Sequence, residues 1–296
     1  MNVHPLSEKM SFNHPSSLRL VLFIVFFASV VIWTGCQNSD SVKAQLVSEV
    51  KSIQPGQTFC VALRLEMDKQ WHTYWKNPGD SGMPTQIVWN LPDGFHAGEI
   101  QWPYPQKFED NELVSFGYEG EIFLLTEIKV PDTVKPGARA EIVAEVDWLA
   151  CKESCIPGHA DLKISLPVQD RKPESGRRWT GRFSDTRRKL PGKFTDWKIS
   201  AAVKNDLILM HILPPSWFES ELTGLEFFPE QEGIIDLSGK QNLQKSEEGY
   251  VIEIQRSLLS GKLPSRLQGV LISKKGWSQS RIEHAMQIDV ALHRFE

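Results

Sequence analysis

The sequence predicts an all-β protein with two antiparallel β-sandwich domains in tandem after a signal peptide. Short runs of alternating apolar and polar residues, separated by Pro/Gly turns, recur from residue 43 to the C-terminus. The 296 residues leave room for about two domains, and an apolar fraction of 41% can supply each with a core. The predicted strands of the first domain are 44–50, 59–67, 71–76, 85–90, 120–130, 138–149 and 160–168, and those of the second are 197–203, 206–213, 225–228, 249–255, 267–273 and 282–292.

The N-terminal segment 1–35 has the features of a bacterial export signal. A polar stretch leads into an apolar run over residues 20–33, which is shorter than the roughly 20 residues of a membrane span. The run ends in Trp33-Thr-Gly-Cys36, which resembles the lipobox of bacterial lipoproteins, with Trp33 in place of the usual aliphatic residue. We therefore predict lipidation at Cys36, a tether over 36–42 and a periplasmic protein held at a bacterial membrane. A signal peptide with an incidental cysteine and an uncleaved anchor are the alternatives.

A basic segment, residues 169–194, separates the two sets of strands. Residues 171–193 contain nine Lys or Arg and two Asp or Glu. Part of it, residues 180–190, is predicted to be a short helix that ends at Pro191-Gly192. Such a segment is either a solvated linker or a contact for anionic lipid headgroups. The net charge of −4 and the lack of a nucleic-acid-binding motif exclude nucleic acid as a partner.

Two cysteines, Cys151 and Cys155, are separated by three residues between two predicted strands, at the mouth of a hairpin. A disulfide across so short a loop removes little chain entropy and stabilises the fold weakly, which favours thiol–disulfide exchange. An inert structural disulfide is the equal alternative on spacing alone. A third interpretation takes Cys151, Cys155 and His159 as ligands of copper or zinc. Cys60 shares a strand face with Ala62 and Arg64 and has no predicted partner. It is either a small residue in a partly covered surface or a free thiol that could pair between molecules.

Several motifs resemble a known family, the N-terminal periplasmic domain of the thiol:disulfide interchange protein DsbD and especially its ScsB-like relatives linked to copper tolerance. In the first domain they are Trp71-His-Thr-Tyr-Trp-Lys-Asn-Pro-Gly-Asp-Ser-Gly82, Ile100-Gln-Trp-Pro103, Phe116-Gly-Tyr-Glu-Gly120 and Asp147-Trp-Leu-Ala-Cys-Lys-Glu-Ser-Cys-Ile-Pro157. In the second domain they are Phe227-Phe-Pro-Glu230, Gly233-Ile-Ile-Asp236 and Gln268-Gly-Val-Leu271. The resemblance implies an immunoglobulin-like fold for both domains, residues 43–168 and 195–296.

The resemblance also implies a function, a thiol:disulfide oxidoreductase that needs no cofactor. Cys151 and Cys155 would be the redox pair, with Cys155 forming mixed disulfides. Phe116 would cap the pair, and the supporting aromatic residues would be Trp71, His72, Tyr74 and Tyr118. The implied partners are a membrane electron-carrier protein and thioredoxin-like periplasmic proteins, in a context such as cytochrome c biogenesis. A non-catalytic copper-handling or partner-binding lipoprotein is the alternative.

Overall fold

The chain builds two β regions separated by one helix, and the computed structural model describes residues 41–111, 113–258 and 263–294. The predicted signal peptide, Cys36 and most of the tether lie outside the described residues. Within the described ranges, no helix is both long and apolar enough to cross a bilayer. The all-β class predicted from the sequence is confirmed.

The first β region is a sandwich of two sheets. One sheet has the strand order β1-β2-β8-β5, and the other has the order β10-β9-β3-β7-β6, with β4 paired to β9. Apolar residues alternate along the strands, so that Leu63 and Leu124 of the first sheet meet Ile142 and Val146 of the second in one core. The strands are β1 (Val42–Ser48), β2 (Thr58–Met67), β3 (His72–Gly79), β4 (Gln86–Asn90), β5 (His96–Ala97), β6 (Gln106–Asp110), β7 (Leu113–Glu119), β8 (Glu121–Lys129), β9 (Arg139–Cys151) and β10 (Cys155–Pro167).

The seven strands predicted for this region are all present, with shifted ends. Strands β5, β6 and β7 were not among them. β7 carries Phe116 and Tyr118 beside Gly117 and is buried along most of its length, so it lacks the polar alternation by which the other strands are recognised.

The second β region forms one hydrogen-bonded path with the order β13-β16-β17-β11-β12-β15-β14. Its two ends share a core, in which Phe227, Leu271 and Ile288 lie in the same cluster as Met210 and Ile252. The pairs are antiparallel except for β11 with β17, which is parallel and differs from the fully antiparallel prediction. The strands are β11 (Lys198–Lys204), β12 (Leu207–Leu213), β13 (Leu225–Pro229), β14 (Asn242–Lys245), β15 (Tyr250–Gln255), β16 (Arg266–Ser273) and β17 (Ala285–Arg294).

The basic segment between the regions contains the predicted helix, α1 (Thr180–Arg187). It is not the solvated linker that its charge indicated, because Phe183 is fully buried against Ala62 and Phe123 on the outer face of the first sheet. Arg187 reinforces this docking through two hydrogen bonds of 2.6 and 2.7 Å to the carboxylate of Glu49. An apolar side chain on one side of the helix therefore decides where it lies.

Candidate redox site at the β9–β10 hairpin

The two cysteines close the hairpin formed by β9 and β10. Cys151 is the last residue of β9 and Cys155 the first of β10, and the strand register pairs them directly. Their Cα atoms are 4.1 Å apart and their sulfurs form a disulfide. The hairpin predicted from the sequence is confirmed, and its three-residue turn is what brings the sulfurs within bonding distance.

The two cysteines differ in their exposure to solvent. Cys151 is only 4% exposed, whereas Cys155 is exposed at the beginning of β10. An attacking thiolate must approach a sulfur from outside the protein. Cys155 is therefore the sulfur of this pair that a partner can reach.

The disulfide lies on the outer face of its sheet, opposite the sandwich core. Cys151 pairs in register with His72 of the adjacent strand β3, and directly paired residues point to the same side of a sheet. Side chains two residues apart on a strand also share a face, which adds Tyr74. Between them, Thr73 and Ala150 point inward and are buried.

Tyr74 provides the polar contact to the disulfide. Its hydroxyl donates a hydrogen bond of 2.8 Å to Sγ of Cys151 and lies 3.5 Å from Sγ of Cys155. Burial raises the pKa of Tyr74 above its ordinary value, so the phenol keeps its proton at neutral pH and remains a donor. Gly82 packs against the ring, since a Cβ there would lie 2.2 Å from Cε1 of Tyr74.

His72 and Phe108 extend the same face beside Tyr74. The rings of His72 and Phe108 stack with centroids 4.6 Å apart, and the His72 ring meets the Tyr74 ring edge-on at 5.3 Å. Burial lowers the pKa of His72, which keeps its imidazole neutral. Phe108 was not predicted as a site residue. Its place on the face follows from its pairing with Ser115, a register that the sequence does not reveal.

Comparison with known proteins identifies the first β region. Residues 40–167 match the family described as thiol:disulfide interchange protein DsbD, N-terminal. These residues form a DsbD N-terminal-like domain. No curated protein matches the chain.

One of two similar solved structures supports this fold. The N-terminal periplasmic domain of ScsB from Proteus mirabilis superposes with a TM-score of 0.61 at 14% sequence identity, covering 88% of this chain and 96% of that one. The reduced DsbD N-terminal domain of Neisseria meningitidis covers 45% of this chain and 88% of its own, at 12% identity and a TM-score of 0.26. The first match covers both β regions, so the overall arrangement of this chain has a counterpart of known structure.

Phe116 does not occupy the capping position that the resemblance to DsbD implies. It lies on β7 next to Gly117, which pairs with Tyr74 on the disulfide face, and neighbouring residues on a strand point to opposite faces. Phe116 is consequently buried in the core, with ring contacts to Trp75 at 6.4 Å and Phe228 at 4.9 Å. In this DsbD N-terminal-like domain, Phe108 is the phenylalanine on the cysteine side.

Tyr118 and Trp71 likewise lie away from the disulfide. Tyr118 is buried on the core face and donates a hydrogen bond of 2.7 Å to the backbone oxygen of Pro103. Trp71 precedes β3 and packs against the core cluster. Of the four supporting aromatic residues, the structure brings only His72 and Tyr74 to the cysteines.

His159 is not assembled with the cysteines into a metal site. It lies four residues beyond Cys155 on an extended strand, about 13 Å along it, and its Nδ1 is 2.8 Å from Oδ1 of Asp147 on the paired strand. No group of three or more His, Cys, Asp or Glu side chains suited to a metal ion occurs in the part of the chain that the structure describes. The Cys151, Cys155 and His159 set therefore does not form a common coordination sphere in this structure.

Cys60 is a free cysteine and is buried beneath helix α1. Burial raises the pKa of its thiol to about 12, so it is protonated at neutral pH. The sequence predicted a partly covered position for Cys60, whereas the structure buries it. In the folded state, Cys60 is therefore not placed to pair with another molecule.

Proposed function

We propose that this protein is a thiol:disulfide oxidoreductase that exchanges disulfides with partner proteins through Cys151 and Cys155. The observation that carries the proposal is the asymmetry of the pair, with one exposed cysteine and one buried cysteine whose Sγ is hydrogen-bonded to Tyr74. A purely structural disulfide needs neither an exposed cysteine nor a hydrogen-bond donor beside the other cysteine, whereas disulfide exchange uses both.

The exchange begins with a partner thiolate that attacks Sγ of Cys155. A bond forms between the partner sulfur and Cys155, and the Cys151–Cys155 bond breaks with its electron pair on Cys151. The hydroxyl of Tyr74 donates to the thiolate so formed. A second thiolate of the partner then attacks the partner's own sulfur and releases Cys155. Two electrons pass to the cysteine pair, Cys155 takes up a proton, the Cys151 thiolate keeps its hydrogen bond to Tyr74, and the partner leaves as a disulfide.

The reverse steps pass reducing equivalents onward. Here the Cys155 thiolate attacks a substrate disulfide, and Cys151 resolves the mixed disulfide by re-forming the bond to Cys155. We propose thioredoxin-like periplasmic proteins and a membrane electron carrier as the two classes of partner, and lipidation of Cys36 as the means of holding the protein at the membrane. A periplasmic location is supported by the match to a domain described as periplasmic in Proteus mirabilis.

Mixed-disulfide trapping tests the proposal. The probe is purified thioredoxin that retains only its attacking cysteine, activated as a mixed disulfide with thionitrobenzoate. Cys151→Ser leaves the exposed Cys155 thiol and is expected to form a covalent adduct on a non-reducing gel, whereas Cys155→Ser is expected to form little. Both variants also carry Cys60→Ser, so that Cys60 cannot form the adduct.

The reduction potential of the wild-type pair provides the second measurement. Exchange requires a potential above about −300 mV, below which structural disulfides resist the cellular thiol pool. Equal adduct formation by both single-cysteine variants, or a potential below that threshold, would contradict the proposal.

A further inference from the structure

The second β region packs directly against the strand that carries Tyr74. Three residues beyond Tyr74, Nδ2 of Asn77 donates a hydrogen bond of 2.8 Å to the backbone oxygen of Pro229. Next to Asn77, Nζ of Lys76 forms an ion pair of 2.5 Å with Oε1 of Glu230. Strand β3 is thus attached to the end of β13 by adjacent polar contacts.

The attachment at Asn77 is a buried one. Asn77 is 1% exposed, and a buried amide left without partners is costly. Its Nδ2 donates across the boundary between the regions, to the backbone oxygens of Pro229 and of Gln231, the latter at 3.5 Å. Its Oδ1 accepts from the backbone N–H of Gly79 at 3.0 Å within the same turn. The second region therefore supplies the acceptors for the buried side-chain N–H groups of Asn77.

The hairpin β6–β7 also contacts strand β13 of the second region. Phe228 of β13 contacts Phe116 of β7 and belongs to the core cluster of the first region. Lys107 of β6 pairs in register with Phe116. Burial raises the pKa of Glu226 of β13, and the positive charge of Lys107 offsets part of that increase. The other face of this hairpin carries Phe108, stacked on His72.

We propose that the second β region is a positioning module for the redox site. Through Phe228, Pro229 and Glu230 it fixes β3 and β7 in the arrangement in which Tyr74 donates to Cys151. This inference rests on the proposed exchange at the cysteine pair and assigns the second region its part in it. Phe228, Asn77 and Glu230 are positioning residues, since none of them contacts the sulfurs.

Two neighbouring phenylalanines provide a matched test. Phe228 is 2% exposed and contacts the first region, whereas Phe227 is 1% exposed and points into the core of the second region. Phe228→Leu and Phe227→Leu therefore each remove one aromatic ring from β13, the first from the core of the first region and the second from the core of the second region. The measured quantity is the equilibrium constant for reduction of Cys151–Cys155 by dithiothreitol, from quenched alkylation and mass spectrometry of the full-length protein.

Phe228→Leu is expected to lower this constant about threefold, because a displaced Tyr74 no longer stabilises the Cys151 thiolate. Phe227→Leu is expected to leave it unchanged although it destabilises the second region. In a Tyr74→Phe background, Phe228→Leu is expected to have no further effect, which a general loosening of the fold does not produce. Urea unfolding of each variant checks that it is folded.

A second pair tests the polar contact without removing core volume. Glu230→Gln weakens the ion pair to Lys76 and is expected to shift the constant in the same direction, whereas Glu232→Gln alters an exposed carboxylate nearby and is expected to have no effect. An unchanged constant in Phe228→Leu, an equal decrease in Phe227→Leu, or an undiminished decrease in the Tyr74→Phe background would overturn the proposal. Dithiothreitol needs no protein partner, so this result is separate from the outcome of mixed-disulfide trapping.

Discussion

The hydroxyl of Tyr74 lies 2.8 Å from Sγ of Cys151, although 77 residues separate them in the chain. It thus contacts the buried sulfur of the pair, which is the one that leaves as a thiolate when Cys155 is attacked. A hydrogen bond to a charged acceptor contributes more than one to a neutral acceptor. The contact therefore favours the reduced form over the disulfide.

The first prediction concerns this hydrogen bond. Tyr74→Phe is expected to remove about 1 kcal/mol of preferential stabilisation of the thiolate, which is about 20 mV toward a more negative potential for a two-electron couple. Equilibration with a glutathione or dithiothreitol buffer measures the change. Tyr118→Phe is the control, because it removes a buried hydroxyl that donates to Pro103 on the opposite face. A similar shift in both variants, or a shift to a less negative potential in Tyr74→Phe, would contradict the assignment.

The second prediction uses the glycine that packs on Tyr74. Gly82 has a φ of +117° and a Cβ there would lie 2.2 Å from the ring, so Gly82→Ala is expected to displace Tyr74 and shift the potential in the same direction as Tyr74→Phe. Gly120→Ala is the matched control, since Gly120 also has a positive φ, +73°, but open space at its Cβ position. Both variants carry the backbone cost of a non-glycine residue, on the order of 1 kcal/mol, and only Gly82→Ala should change the potential.

The sequence predicted the cysteine hairpin because alternation and a turn are local features. It did not predict which aromatic residues lie over the sulfurs, because that depends on how β3, β6, β7 and β9 pair. A change of one position in such a register reverses the face of every side chain. Phe116 and Phe108 illustrate this, since they belong to one hairpin and differ in the side of the sheet that they occupy.

Local sequence patterns also did not predict the docking of helix α1 or the contacts of the second region. Nine basic residues indicated a solvated segment, but Phe183 decides its position through contacts with strands that lie far away in the sequence. The neighbours Pro78 and Gly79 likewise indicate a turn at Asn77. Its buried amide instead donates a hydrogen bond to the backbone oxygen of Pro229, 152 residues later. Long-range packing overrides composition at both places.

The third prediction concerns the free thiol under the helix. Because burial raises the pKa of Cys60 to about 12, only about one thiol in ten thousand is ionised at pH 8. Native oxidised protein is therefore expected to react with Ellman's reagent slowly, and denatured protein rapidly. Phe183→Ala removes the ring that covers Cys60 and is expected to cost about 3–5 kcal/mol and to accelerate labelling. Arg188→Ala, on the exposed side of the same segment, is the control, and rapid labelling of the native wild type would contradict the buried position.

The fourth prediction concerns His159, beside the redox hairpin. Its hydrogen bond to Asp147 raises the pKa of His159 above its ordinary 6.5, with a smaller contribution from Asp161. Since the pKa is higher in the folded state, protonation stabilises the fold. This contribution is fully present below about pH 6.5 and is lost as the pH rises through the folded-state pKa.

Titration of the His159 ring by NMR measures the effect directly. Asp147→Asn is expected to lower the pKa of His159 more than Asp161→Asn does, because Oδ1 of Asp147 lies 2.8 Å from Nδ1 and Oδ1 of Asp161 lies 3.6 Å from Nε2. Urea unfolding is expected to show a larger loss of stability for Asp147→Asn at pH 5.5 than at pH 8.5. Equal losses at the two pH values, or a pKa that moves upward in Asp147→Asn, would mean that the carboxylate does not hold the proton on His159. The reduction potential of Cys151–Cys155 should stay the same in both variants at pH 8.5, because the imidazole is about four residues along the strand from the nearer sulfur.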